Sequence, residues 1–163
     1  MNLGQLKYIK NVSDSTPGIW AYEKHGKGTY FPLTFRVSTK ESSGVDTHAK
    51  KLPKGSLIVL SQRYKNDDKD PGKRYLSHVV EVVNEAREDE PQWKKSEWGI
   101  FRRVKVVWAA DRDHAPLDED VMKGNWGWAN TKAKLLKNLS TVEKNYDSVD
   151  AFREHFGKSL TSA

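Results

Sequence analysis

Residues Pro91 to Trp108, P-Q-W-K-K-S-E-W-G-I-F-R-R-V-K-V-V-W, set two tryptophans among lysines directly before a β-branched run. The run alternates: Ile100, Arg102, Val104, Val106 and Trp108 share one face, and Phe101, Arg103, Lys105 and Val107 share the other. The segment predicts a strand with one core face, Trp108 included, and an opposite face that offers Arg103 and Lys105 to something acidic. Trp93 and Trp98 carry large apolar rings that are costly to leave in water. They either pack or are held for a flat ligand.

The remainder of the chain supplies partners for that strand. Phe31, Leu33, Phe35 and Val37 alternate with Pro32, Thr34 and Arg36, a half-buried strand that Pro32 restricts to an edge. Leu57-Ile58-Val59-Leu60 is short, apolar and bounded by turns, which predicts a strand buried on both faces. Tyr75 to Val83, with Leu76, His78, Val80 and Val82 on one face, returns as its antiparallel partner across a charged loop tipped by Asp70-Pro71-Gly72. Residues 1–18, 38–51 and 84–91 are polar and predict loops, the second with room for one helical turn. Beyond Trp108, residues 130–139 predict a helix, Ser140 to Glu143 fits a capping box, and Val149, Phe152 and Phe156 mark a helix that Gly157 should stop. These elements predict one α+β domain over residues 1–163. Its strands form a curved sheet or small barrel, and its short helices, mostly C-terminal, cover the open side.

Composition narrows the partners. The chain has 28 Lys and Arg against 22 Asp and Glu, a net charge of +6. That balance favours an anionic partner, nucleic acid being the commonest. There is no cysteine, hence no disulfide, thiolate nucleophile or cysteine zinc site. No apolar run approaches a membrane span or a signal peptide, so the expectation is a cytoplasmic protein, or a nuclear one in a eukaryote, without membrane contact.

Signals for catalysis are weak. The histidines at 25, 48, 78, 114 and 155 show no metal-ligand spacing, and no P-loop or nucleophile elbow is present. His78 reads as a hydrogen-bonded core residue. Glu81 is one mid-strand carboxylate and not a constellation. Cofactors are not expected. The aromatics say more: of six tryptophans, most sit in polar surroundings, where indoles can stack on bases while cations hold phosphates. Trp126 and Trp128 are read as packing on the sheet.

Two segments resemble a known family. Ile19-Trp20, with His25-Gly26 at the same offset, is similar to the early I-W-…-E-H-G segment of YTH domains. Trp93-x4-Trp98-Gly99-x-Phe101, running on to Trp108, resembles their W-x4-W-K-G-x-F-x-V-x-W segment. Gly55 to Leu60 and His78 to Val83 look like the central hairpin of those domains, and EVE domains share the same PUA-like architecture. The resemblance covers roughly residues 19–108, leaving 109–163 as a helical cover. It implies a PUA-like fold and a non-catalytic reader of a modified, N-methylated base in RNA or DNA. The base-binding residues it implies are Trp20, Trp93 and Trp98, and Tyr22, which departs from the small polar pair of those domains, is expected to join them. Arg36, Lys94, Lys95, Arg103 and Lys105 are the expected phosphate contacts. Two alternatives stand beside it. One is a reader of methylated lysine, with Glu97 completing an aromatic cage; the other is an enzyme on nucleic acid using Glu81 or His78.

Overall fold

The computed structural model describes residues 1–37, 44–64, 72–124 and 132–161. Near its middle lies β3 (Leu57–Tyr64), whose first half, Leu57 to Leu60, has no polar face to give to water. Ile58 and Leu60 enter one apolar cluster while Leu57 and Val59 enter another, so the strand is covered on both sides. Around it lie β1 (Leu6–Val12), β2 (Tyr30–Phe35), β4 (Lys73–Val82), β5 (Ile100–Ala109) and the short β6 (Lys134–Leu135). The six strands run in the order β2-β5-β4-β3-β1-β6. Only β1 and β3 are parallel.

The sheet is open, which corrects the PUA-like curved sheet or small barrel expected from the sequence. Among the described residues its two end strands, β2 and β6, do not pair with each other. The physical reason lies in the two clusters. A closed small barrel has one apolar interior, whereas this sheet buries both faces. On one side α1 (Val45–Lys50) adds Val45 and Ala49 to Phe31, Leu33, Phe35, Val104 and Val106. On the other, α3 (Asp118–Met122), α4 (Ser140–Asn145) and α5 (Val149–Thr161) set Met122, Val142, Phe152 and Phe156 against Leu6, Ile9, Val59 and Val79. The mixed α+β character and the C-terminal bias of the helices agree with the sequence.

Several local expectations give way to tertiary contacts. Residues 6–12, read as loop, form β1, with Leu6 and Ile9 fully buried. Residues 86–89 of the acidic stretch form α2, held by a reciprocal capping box between Glu85 and Glu88. Lys134 and Leu135, expected in a helix, instead pair with Ile9 and Tyr8 and cover the free edge of β1. Helix α4 does begin at Ser140, but Leu139 is its cap and contributes no side-chain bond. Helix α5 passes through Gly157, whose position faces Leu3 Cδ1 at 2.6 Å from where a Cβ would stand, and continues so that Leu160 joins Phe152 and Phe156 in the core. Trp126, Trp128 and the tip of the β3–β4 loop lie outside the described residues.

Two bulges move side chains between faces. Leu60 faces His78 while Ser61 faces Leu76, so Ser77 is an extra residue and Leu76 shares its cluster with Val79, not with Val80 and Val82. Val79 faces Trp108 while Val80 faces Val106, leaving Val107 extra. Trp108 is therefore half-buried against the second cluster, apart from Val104 and Val106.

Strand β5 also carries the one ion pair whose two side chains are both fully buried among those described. Arg102 and Asp89 are 0% and 1% exposed and 3.2 Å apart. Arg102 further donates to the carbonyls of Ala49, Leu52 and Asn84 at 2.6–2.7 Å, and Asp89 accepts from the Arg103 amide and from Asn84. One guanidinium thus ties the end of α1, the turn after β4 and α2 to the sheet.

Candidate functional site

The segment from Gly18 to Gly28 crosses the end of β3 without regular structure, and its backbone polar groups need other partners. Gln62, fully buried, supplies two: the Ala21 amide donates to its Oε1 at 2.8 Å, and its Nε2 donates to the Ala21 carbonyl at 3.4 Å. Arg112 clamps the same segment from outside. It donates to the Gly18 carbonyl, to Glu23 at 2.8 Å and to the Tyr64 hydroxyl at 2.7 Å, with the Tyr64 ring beneath it. So held, the chain turns back at Tyr22 with φ of 64°, a left-handed conformation that is uncommon for a bulky residue and frequent at functional sites.

The result is a cleft of about 990 Å³ between this segment, the end of β1, and the strands β2, β3 and β4. Trp20, Tyr22 and Trp98 all line it. Trp20 is 3% exposed, wedged beside Tyr64 and Tyr75 at ring separations of 6.5 and 6.1 Å. Its indole Nε1–H is buried and has no hydrogen-bond partner among the described residues. Tyr22 stacks on Phe31 at 4.3 Å, and its hydroxyl meets Thr34 Oγ1 at 3.0 Å. Trp98, at 45% exposed, is the only one of the three that presents a large ring surface to solvent.

Trp93 stands apart. Its Nε1 donates to the Phe101 carbonyl at 2.7 Å, its ring packs against the first core cluster, and Lys50 lies 5.8 Å above it. It does not line the cleft. The expected phosphate contacts also lie off the lining. Arg36 pairs with Glu97 at 2.7 Å, Lys105 sits over Tyr30 at 5.6 Å, and Lys94, Lys95 and Arg103 are exposed. The pairing also engages Glu97, the carboxylate that a methyl-lysine cage would use.

The cations on the cleft are others: Lys10, Lys24, Arg63 and Arg74, four against the two carboxylates Asp14 and Glu23. Lys10 comes from the strand that the sequence hides. It is 1% exposed, donates to the Asn11 carbonyl at 3.2 Å and lies 4.8 Å over the Phe35 ring. Burial pushes its ammonium down to about 7. Arg74 donates to Asn11 Oδ1 and to Ser61, while Asp118, which also accepts from the Ser61 hydroxyl, lies 3.9 Å away. A positive charge every few residues at the ends of predicted strands was the available signal, but it does not say which ends converge.

The catalytic alternatives find no assembly among the described residues. His78 is a core histidine, with Nδ1 at 3.0 Å from Ser77 Oγ, Nε2 at 3.2 Å from the His25 carbonyl, and burial holding its imidazole down to about 4. Glu81 faces Lys105 across the strands, away from the cleft lining. No group of three histidine or carboxylate side chains able to hold a metal occurs among the described residues, and no described helix is long and apolar enough to cross a membrane.

The loop carrying Trp98 closes through Gly99, which donates to the Ser96 carbonyl at 3.0 Å and accepts from the Lys94 amide at 3.1 Å. A Cβ on Gly99 would overlap the Lys94 carbonyl group and come within 2.6 Å of Ser96 Oγ. Gly99→Ala should therefore open this loop, at about 1–3 kcal/mol. The expected signature is a Trp98 emission shift and faster amide exchange confined to residues 93–99; unchanged exchange there would mean that the turn tolerates a side chain.

No family model, no curated protein and no solved structure matches this chain.

Proposed function

We propose that the protein is a non-catalytic module that binds a base of single-stranded or locally opened nucleic acid in the cleft, with a preference for a modified base. The observation that carries this reading is one cleft with both halves of the required chemistry. Trp98 supplies an exposed ring beside the half-buried Tyr22 and the buried Trp20, and cations outnumber carboxylates two to one on the same walls. A volume of about 990 Å³ lies in the range of small-molecule and cofactor sites and admits a nucleotide. The resemblance of the Trp20 and Trp98 segments to YTH domains supports the modified base, although Trp93 is a packing residue here. Lys94 and Lys95, exposed in the loop that bears Trp98 though off the cleft lining, would take flanking phosphates. A lysine-peptide ligand is disfavoured by those same cations and by the pairing of Glu97 with Arg36.

The test titrates short single-stranded oligonucleotides, with and without N6-methyladenine, at 50 and 200 mM salt. Wild-type affinity should fall with a slope of about −0.7 per neutralised phosphate. Trp98→Ala should weaken binding by about ten- to a hundredfold, one stacking surface being worth about 1–3 kcal/mol, with an unchanged unfolding midpoint. Weak, salt-insensitive binding to every oligonucleotide would remove nucleic acid from the account.

A further inference from the structure

Of the large apolar side chains that stay exposed among the described residues, two line the cleft: Trp98 at 45% and Ile19 at 46%. Apolar side chains scattered singly on a surface need no explanation, but two on the wall of one basic cleft mark where a ligand can bury apolar area. The other apolar groups of that wall are already covered. Trp20, Val12 and Ala21 are buried, and Tyr22 gives one face of its ring to Phe31 at 4.3 Å. Ile19 is also held in place. Its amide donates to the Thr16 carbonyl at 3.3 Å, Arg112 grips the Gly18 carbonyl before it, and Gln62 grips Ala21 two residues on. A β-branched side chain is stiff about its first torsion, so on this anchored backbone Ile19 makes a contact at little entropic cost.

We propose that Ile19 is the specificity-determining residue of the cleft, meeting an alkyl group on a base that stacks on Trp98. This rests on the reading of the cleft as a base site. It names the chemistry that is told apart: a base bearing a methyl group against the same base without one. An isoleucine side chain has no hydrogen-bond donor or acceptor, so it cannot read the polar edge of a base and responds only to apolar area. Apolar side chains meet the methyl group of thymine in this way. Stacking on Trp98 is tolerant of base identity, because every base has a π-face. Discrimination therefore needs a second apolar contact, and Ile19 is the exposed one on the same wall.

The experiment titrates the whole chain with single-stranded oligonucleotides that differ in one central base: thymine against uracil, and N6-methyladenine against adenine. Wild type, Ile19→Val, Ile19→Ser and Trp98→Ala are compared. In at least one pair the methylated member should bind wild type about three- to tenfold tighter, the worth of one buried methyl group. Ile19→Ser should bring that member down to its unmethylated counterpart, leaving the counterpart's affinity and the unfolding midpoint unchanged. Ile19→Val keeps the alkyl surface and should retain the preference. The pair that responds says whether a pyrimidine or a purine amine carries the alkyl group. A preference that survives Ile19→Ser, or an Ile19→Ser loss shared equally by both members, overturns the assignment and leaves the base reading standing. Binding that Trp98→Ala weakens but that ignores the methyl group in both pairs overturns it too, and with it the preference for a modified base, while the base site stands. No binding to any strand overturns both.

Discussion

Replacing Arg102 with methionine is expected to lower the unfolding free energy by about 3–5 kcal/mol, the usual consequence of removing one partner from a buried ion pair. Methionine can fill much of the same space, so the loss is electrostatic. Asp89 stays buried, keeping only its bonds from the Arg103 amide and from Asn84, and the carbonyls of Ala49, Leu52 and Asn84 lose their donor. Asp89→Asn added to Arg102→Met should then cost little further, because the stranded charge has gone. Urea denaturation of the two single variants and the double closes the cycle. A single-variant loss below about 1 kcal/mol would show that water reaches the pair, and that the burial of Arg102 is not what joins α1 and α2 to the sheet.

Lys10→Met should work in the opposite direction. The Lys10 ammonium is held down to about 7 by burial, against 10.5 in the open chain. Below pH 7 both folded and unfolded chains carry the proton, and the folded state bears the full desolvation cost. Between pH 7 and 10.5 the unfolded chain binds the proton that the folded one has released, so stability rises with pH across that window. At about 1.36 kcal/mol per unit, the total gain is about 4–5 kcal/mol. Lys10→Met removes this slope. The variant should be more stable than wild type at pH 7, and the two should converge by about pH 10. Thermal unfolding of both proteins over that range is the measurement, and parallel pH profiles would mean that Lys10 is hydrated.

How much of this was legible in the sequence depends on how local the deciding contacts are. Phe31, Leu33 and Phe35, or Ile58 and Leu60, reveal their faces because period-2 alternation is written within a few residues. Strand β1 is not revealed: its buried positions include Lys10 and Asn11, and a polar residue in a strand is assumed to face water until its partners are known. Trp93 and Trp98 lie five residues apart and look alike in sequence. Their different fates turn on one bond, from Trp93 Nε1 to the Phe101 carbonyl. The aromatic lining of the cleft was thus legible at Trp20, Tyr22 and Trp98, while its cations were not. Arg63 and Arg74 come together only through the register of a hairpin, and Lys10 joins them only because β1 pairs with β3 in parallel.

By itself the sequence determined that β2, β3, β4 and β5 are strands, that helices gather toward the C-terminus, and that the chain carries excess positive charge and six tryptophans. Those properties follow from side-chain periodicity and composition, which act over short range. Tertiary structure alone decided that the sheet stays open, because apolar segments far apart in the chain, α1 and α3 to α5, compete for its two faces and cover both. It also decided where the bulges at Ser77 and Val107 fall, and with them which side Leu76 and Trp108 face. An inserted residue reverses the alternation of everything beyond it, and whether one is inserted depends on the partner strand, not on the strand itself.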